Sequence, residues 1–195
     1  MKKISLLIVA LIASEVNYAQ TTKWDFDLGH SNIQFSISHM VISEVTGNFK
    51  SYEGTVLSDK EDFSDAKINF TIKVNSIDTH NEKRDQHLVG TDFFDAEKYP
   101  EITFKSKSLT KVSENKYKLT GDFTMHGVTK TIELDVKYGG TIKDPWGNTK
   151  AGFKITGTIN RYDFGLKWNS TLETGGLMLG EELELVCNIE LTKQK

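Results

Sequence analysis

Residues 66–74 read Ala66-Lys67-Ile68-Asn69-Phe70-Thr71-Ile72-Lys73-Val74, five apolar side chains interleaved with four polar ones. Strict alternation matches a β-strand, whose successive side chains point to opposite faces. A helix would instead carry its apolar stripe at a 3.6-residue repeat. The alternating signature recurs on both sides of this stretch. Ile33, Phe35 and Ile37 share a face, and so do Leu119, Gly121 and Phe123. Ile132, Leu134, Val136 and Tyr138 form another set, Phe153, Ile155, Gly157 and Ile159 a further one, and Leu183, Leu185, Cys187, Ile189 and Leu191 the last. Strands with one dry and one wet face suit an antiparallel sheet, because buried parallel strands are apolar on both sides.

The intervening residues behave as turns. His126-Gly127 separates two alternating runs and fits a tight hairpin. Pairing Met125 with Val128 sets Phe123 opposite Lys130, Gly121 opposite Ile132 and Leu119 opposite Leu134, so the apolar faces coincide, as a buried face requires. Ser113-Glu114-Asn115, Gly139-Gly140 and Asp144-Pro145-Trp146-Gly147-Asn148 are further turn or loop signals. Helix is scarce. Thr79-His80-Asn81-Glu82 reads as a capping box opening a short helix that runs to about Leu88 and stops at Gly90. Asp92 to Tyr99 reads as another turn or two of helix before Pro100, and Met40 to Thr46 as a short helical or irregular lid. With roughly eight strands and so little helix to cover a sheet, the expected fold is all-β, a closed antiparallel barrel.

The amino terminus reads as a leader. Lys2-Lys3 precede an apolar run, Ile4 to Ala13, that is too short for a membrane span, and a polar stretch leads to Ala19. Cleavage there would leave one domain, 20–195, in the periplasm or outside the cell. The net charge is −3, and losing Lys2, Lys3 and Glu15 makes it one unit more negative. With no concentrated basic patch, nucleic acid is not an expected partner. The single cysteine, Cys187, cannot form an internal disulfide, so the core must stabilise the fold.

Few residues suggest chemistry. None of the five histidines has the spacing of a helical zinc site, and one cysteine excludes a cysteine-rich site, so no metal or other cofactor is expected. No nucleophile elbow or glycine-rich nucleotide loop occurs. His39 continues the inward face begun at Ile33; it reads as a polar residue closing a strand or as a hydrogen-bond donor to a ligand head group. Arg84 and Arg161 could grip an anion with their planar forks. Their neighbours Asp85 and Asp163 favour a structural pairing instead. The apolar face says more: Phe35, Ile37, Phe70, Ile72, Phe104, Leu119, Phe123, Phe153, Ile155 and Leu185 point inward, with Gly121 and Gly157 among them. Those glycines either relieve crowding in a solid core or leave a hollow for a chain-like ligand. Cys187 on the same face reads as a small buried hydrophobe.

Several short motifs stand in one order along the chain: Asp27-Leu28-Gly29-His30-Ser31, Gly47-Asn48-Phe49, Tyr52-Glu53-Gly54, Arg84-Asp85-Gln86-His87-Leu88, Asp92-Phe93-Phe94-Asp95, Tyr99-Pro100, Gly121-Asp122-Phe123-Thr124-Met125-His126-Gly127 and Arg161-Tyr162-Asp163-Phe164-Gly165. In order and coverage the chain resembles the YceI-like family. The resemblance implies a lipocalin-like barrel of eight strands with a tunnel for a polyisoprenoid or another long-chain lipid. Ser58 to Asp65 departs from the pattern and reads as a solvated connection. The expected function is an exported binding protein, its ligand in the barrel and the head group near His39, Arg84 or Arg161. The alternatives are an enzyme acting on such a lipid through His39 and a nearby carboxylate, and a ligand-free interaction module with a solid core. A homodimer is compatible with the sequence.

Overall fold

The computed structural model describes residues 21–173 and 175–194. The leader expected over residues 1–19 lies outside them. Eleven strand segments follow in chain order: Lys23–Phe26 (β1), Asn32–His39 (β2), Ser43–Phe49 (β3), Tyr52–Leu57 (β4), Lys67–Lys73 (β5), Ile77–Asp78 (β6), Glu101–Ser113 (β7), Lys116–Met125 (β8), Val128–Lys143 (β9), Thr149–Asn160 (β10) and Leu179–Lys193 (β11). Glu82–Val89 (α1) is the α-helix, and two 3-10 turns cover Val74–Ser76 and Arg161–Phe164.

Every pairing is antiparallel, and the ring closes β1-β4-β5-β7-β8-β9-β10-β11 and back to β1. It is an eight-strand barrel. The remaining segments lengthen its walls. β1 lies against Leu191–Lys193 of β11 and β2 against Leu179–Asn188, so the two act as one bent strand along one neighbour. β3 and β4 continue each other in the same way, as do β5 and β6. Closure pairs each of those eight strands on both sides, which limits the open edges that template aggregation.

The hairpin register read from the sequence holds: Met125 faces Val128, Phe123 faces Lys130, Gly121 faces Ile132 and Leu119 faces Leu134. His126 and Gly127 both take positive φ, 51° and 73°, which a type I′ turn requires. Other details differ. Gly139-Gly140 is no turn; it lies inside β9 at a bulge, where Gly140 faces Gly152 and Tyr138 faces Phe153. The cap of α1 is Asn81, whose side chain accepts from the Arg84 N–H, because the Thr79 hydroxyl donates to Asp85 instead. Asp92 to Tyr99 forms hydrogen-bonded turns rather than helix. The stretch read as a lid from Met40 is a tight turn at 40–42, and Ser43 already begins β3.

Tracing the strands gives the barrel two ends. One carries the β2–β3 turn, α1 with residues 90–100, the His126-Gly127 turn and the segment between β10 and β11. The other carries the β4–β5, β7–β8 and β9–β10 connections. The β4–β5 connection corrects a sequence expectation. Read as merely solvated, it plugs its end of the barrel: Phe63 is 1 % exposed and packs on Trp24, Phe153 and Tyr138 with ring centroids 4.9, 5.0 and 5.7 Å away. Asp65 shapes this loop by accepting from the Ser58 hydroxyl at 2.6 Å and from the backbone N–H groups of Asp59 and Lys60.

Candidate functional site

The inward faces do not meet. They surround a cavity of about 330 Å³. Its walls include all ten inward-facing large residues read from the alternation: Phe35, Ile37, Phe70, Ile72, Phe104, Leu119, Phe123, Phe153, Ile155 and Leu185. Phe63 forms its floor, and Cys187 adds its sulfur to the wall. Burial pushes the Cys187 thiol up to about 12, because a thiolate would lose its hydration there.

Gly121 and Gly157 share the inward face but do not line the space, which corrects the reading that they hold it open. A β-carbon on Gly121 would stand 2.7 Å from Phe104 Cε2 and 2.6 Å from the Lys105 carbonyl oxygen. Over Gly157 the Leu134 side chain fills the same place. The pattern repeats at Gly47 under Phe35 and at Gly54 under Phe26 and Phe70. Each glycine lets a large neighbour lie against the wall, so these residues relieve crowding.

Polar groups enter the lining on Gln34, His39, Arg84, His87 and Arg161, while no aspartate or glutamate does among the described residues. His39, Arg84, His87 and Arg161 belong to the end that carries α1, where Phe93 and Trp168 meet His87 in T-shaped contacts with centroids 5.0 and 5.3 Å away. The three residues singled out as head-group candidates therefore lie at one end of one cavity. Trp168 had no distinguishing signal in the sequence, since it lies on no alternating strand, and His87 stood in one of the ordered motifs without a role attached to it.

The expected Arg–Asp pairings are absent. Asp163 pairs with Lys130 at 2.9 Å, and Asp85 accepts from Thr79 through its backbone N–H and hydroxyl. Arg84 donates from Nε to the Thr79 hydroxyl at 2.7 Å and from Nη2 to the Thr79 carbonyl at 2.6 Å. Arg161 is 2 % exposed and donates to backbone carbonyls: Nε to Gly180, and Nη1 to Leu166 and Trp168. It thereby fastens the segment before β11. Burial lowers its pKa from the usual guanidinium value.

One cluster away from the cavity has the composition of a metal site. Asp27, His30 and Glu190 bring ligand atoms within 4.8 Å of one another. Lys150 already occupies it, 2.5 Å from Asp27 and 3.2 Å from Glu190, and holds the Asp27 carboxyl down at about 2. The cluster is an ion-pair knot that ties β10 to β11 and to the β1–β2 joint.

Among the described residues, no helix is long and apolar enough to cross a membrane. Comparison with known proteins agrees with the architecture. A UPF0312 protein of Staphylococcus aureus is 41 % identical over 172 residues, covering 88 % of this chain and 98 % of the relative. The Campylobacter jejuni YceI protein superimposes with a TM-score of 0.70 at 37 % identity, covering 81 % of this chain and 90 % of that one. A polyisoprenoid-binding domain from Saccharophagus degradans shares the fold, with a TM-score of 0.68 at 14 % identity over 88 % of this chain and 98 % of that one. The sequence matches the YceI-like domain over residues 24–191, and with the barrel and these relatives it follows that the chain belongs to the YceI-like family.

Proposed function

We propose that this protein is an exported binding protein that holds a long-chain lipid, of the polyisoprenoid type, inside its barrel. The observation that carries the reading is the cavity of about 330 Å³, walled by carbon with its cationic groups at one end. Each CH₂ moved from water into such a space contributes about 0.8 kcal/mol, so a long tail binds tightly with few polar contacts. The family membership and the polyisoprenoid-binding fold relative support the ligand class. The Lys2-Lys3 start, apolar run and Ala19 support export through a leader removed near Gln20.

Binding is favoured over catalysis. An enzyme built on His39 would need an acid beside it, and no carboxylate contributes to the cavity wall among the described residues. Native mass spectrometry of the purified protein, before and after organic extraction, tests the proposal. The expected result is a bound mass that extraction removes and that added polyisoprenoid restores. Protein that takes up no lipid after extraction overturns it. Edman sequencing of protein from a periplasmic extract tests export, and a start at Met1 would refute it.

A further inference from the structure

Met40, Val41, Ile42 and Leu177 are half of the eight large hydrophobic side chains that stand exposed among the described residues, and they form one patch. Val41 and Ile42 are 76 % and 85 % exposed. The Met40 N–H donates to the Met178 carbonyl at 2.7 Å, and a β-carbon on Gly176 would meet Val41 Cγ2 at 3.9 Å. The β2–β3 turn and the segment before β11 therefore present a single apolar tip. Both arms of the tip run on into the cavity wall, where His39, Met178 and Leu179 contribute to the lining. This is the end opposite the Phe63 floor.

Nothing in the local structure asks for these side chains. The Ile42 N–H donates to the His39 carbonyl, and Met40 and Val41 take φ 54° and 66°, the two left-handed central positions of a type I′ turn. Such positions favour asparagine and glycine. A β-branched valine is strained there, and leaving it and Ile42 in water adds a second cost. Strain and apolar exposure kept at the same place mark a surface in use.

Two features name what covers it. Residues 37–43 and 175–180 contain no lysine, arginine, aspartate or glutamate, so the tip seeks no charged partner. Its four side chains also fall far below the roughly 20–30 residues a side of a stable protein interface. A lipid surface needs no such matching contact, and its hold on a protein grows simply with the apolar area that sinks into it.

Resting on the lipid-binding reading above, we infer that the Met40-Val41-Ile42 turn and Leu177 seat the barrel on a neutral lipid surface, with the adjoining end of the cavity turned toward it. Docked in this way, an apolar chain passes between bilayer and barrel without exposing its length to water.

Sedimentation of the mature protein with phosphatidylcholine vesicles tests the docking. The protein is expected to partition onto them, and raising the salt should not release it, because screening acts on charges. Val41→Gly combined with Ile42→Ser is expected to lower the partition coefficient about tenfold or more, since each CH₂ lost accounts for about a fourfold change. Both positions are exposed and glycine suits the left-handed backbone, so this variant is expected to fold. Ile142→Ser combined with Trp146→Ser, at the opposite end of the barrel, should leave the partition unchanged. Loading of a fluorescent polyprenol from the same vesicles should slow in step for the turn variant, while its uptake from detergent solution stays that of the parent. No partition onto vesicles, or partition that survives in the turn variant, overturns the inference and leaves the lipid-binding reading intact. Self-association that the turn variant abolishes, without vesicle binding, assigns the patch to a second copy and overturns it too. Protein that docks on vesicles yet takes up polyprenol from neither source refutes the lipid-binding reading while the docking stands.

Discussion

The ring of Phe104 on β7 lies over Gly121 on β8, filling the place where a β-carbon would stand. The contact comes from packing across neighbouring strands, and it decides how far Phe104 reaches into the lumen. Gly121→Ala is expected to destabilise the protein by about 1–3 kcal/mol, as overpacking of a filled core does. The new methyl meets both the ring and the Lys105 carbonyl, which is backbone and cannot swing aside. Gly157→Ala meets chiefly the end of the flexible Leu134 side chain, with the next nearest atom 3.6 Å away, and should cost less. Urea melts of the two variants check the ranking, and a reversed order would show that Phe104 yields more easily than Leu134.

Phe63 should be the most sensitive residue of its loop. Truncating a buried phenylalanine typically costs about 3–5 kcal/mol, and here it also opens the floor of the cavity. Phe63→Ala is expected to fall in that range and to shorten lipid residence. Chemical denaturation and a lipid-retention assay measure the two effects. A loss below about 1 kcal/mol would mean that Trp24, Tyr138 and Phe153 close the floor without it.

The Asp27–Lys150 pair predicts acid sensitivity. Asp27 is held at about 2, chiefly by its hydrogen bond from Lys150, against an ordinary value of 3.8. A depressed carboxyl contributes stability in full above its unfolded value, and that contribution is lost as pH falls through the folded value. Stability should therefore drop between about pH 4 and 2, by at most about 2 kcal/mol from this site. Lys150→Met should flatten that part of the curve. Urea melts across the range check it, and identical slopes for the two proteins would count against the pair.

Val41 takes φ 66° at the β2–β3 turn with 76 % of its surface exposed. A β-branched residue is strained in the left-handed region, whereas glycine is not. Val41→Gly is expected to stabilise the fold by up to about 1 kcal/mol. A lower melting temperature would show that the valine side chain contributes packing that outweighs the strain.

Cys187 should resist alkylation. Its thiol is pushed up to about 12 and sits in a carbon-lined wall. Iodoacetamide at pH 8 is expected to label it only after unfolding. Rapid labelling of the native, delipidated protein would show that the cavity admits water to the sulfur.

What the sequence determined by itself is the barrel. Alternation fixes which side of each strand is buried, because the two-residue repeat is a property of the chain alone, and the His126-Gly127 turn sets one register to the residue. The inward-facing phenylalanines and leucines were legible for the same reason. Only the tertiary structure decided that those faces stand apart around a space, since whether a core is solid or hollow depends on how rings from neighbouring strands fold down. Gly121 could be placed on the inward face from the alternation, but Phe104 covers it by reaching across from β7. Phe63 was hidden in a polar loop because its partners, Trp24, Tyr138 and Phe153, lie far from it in the chain. The two arginines misled for a related reason: adjacent aspartates suggested local pairs, yet the chain turns Asp85 to Thr79 and Asp163 to Lys130, so neither expected pair forms.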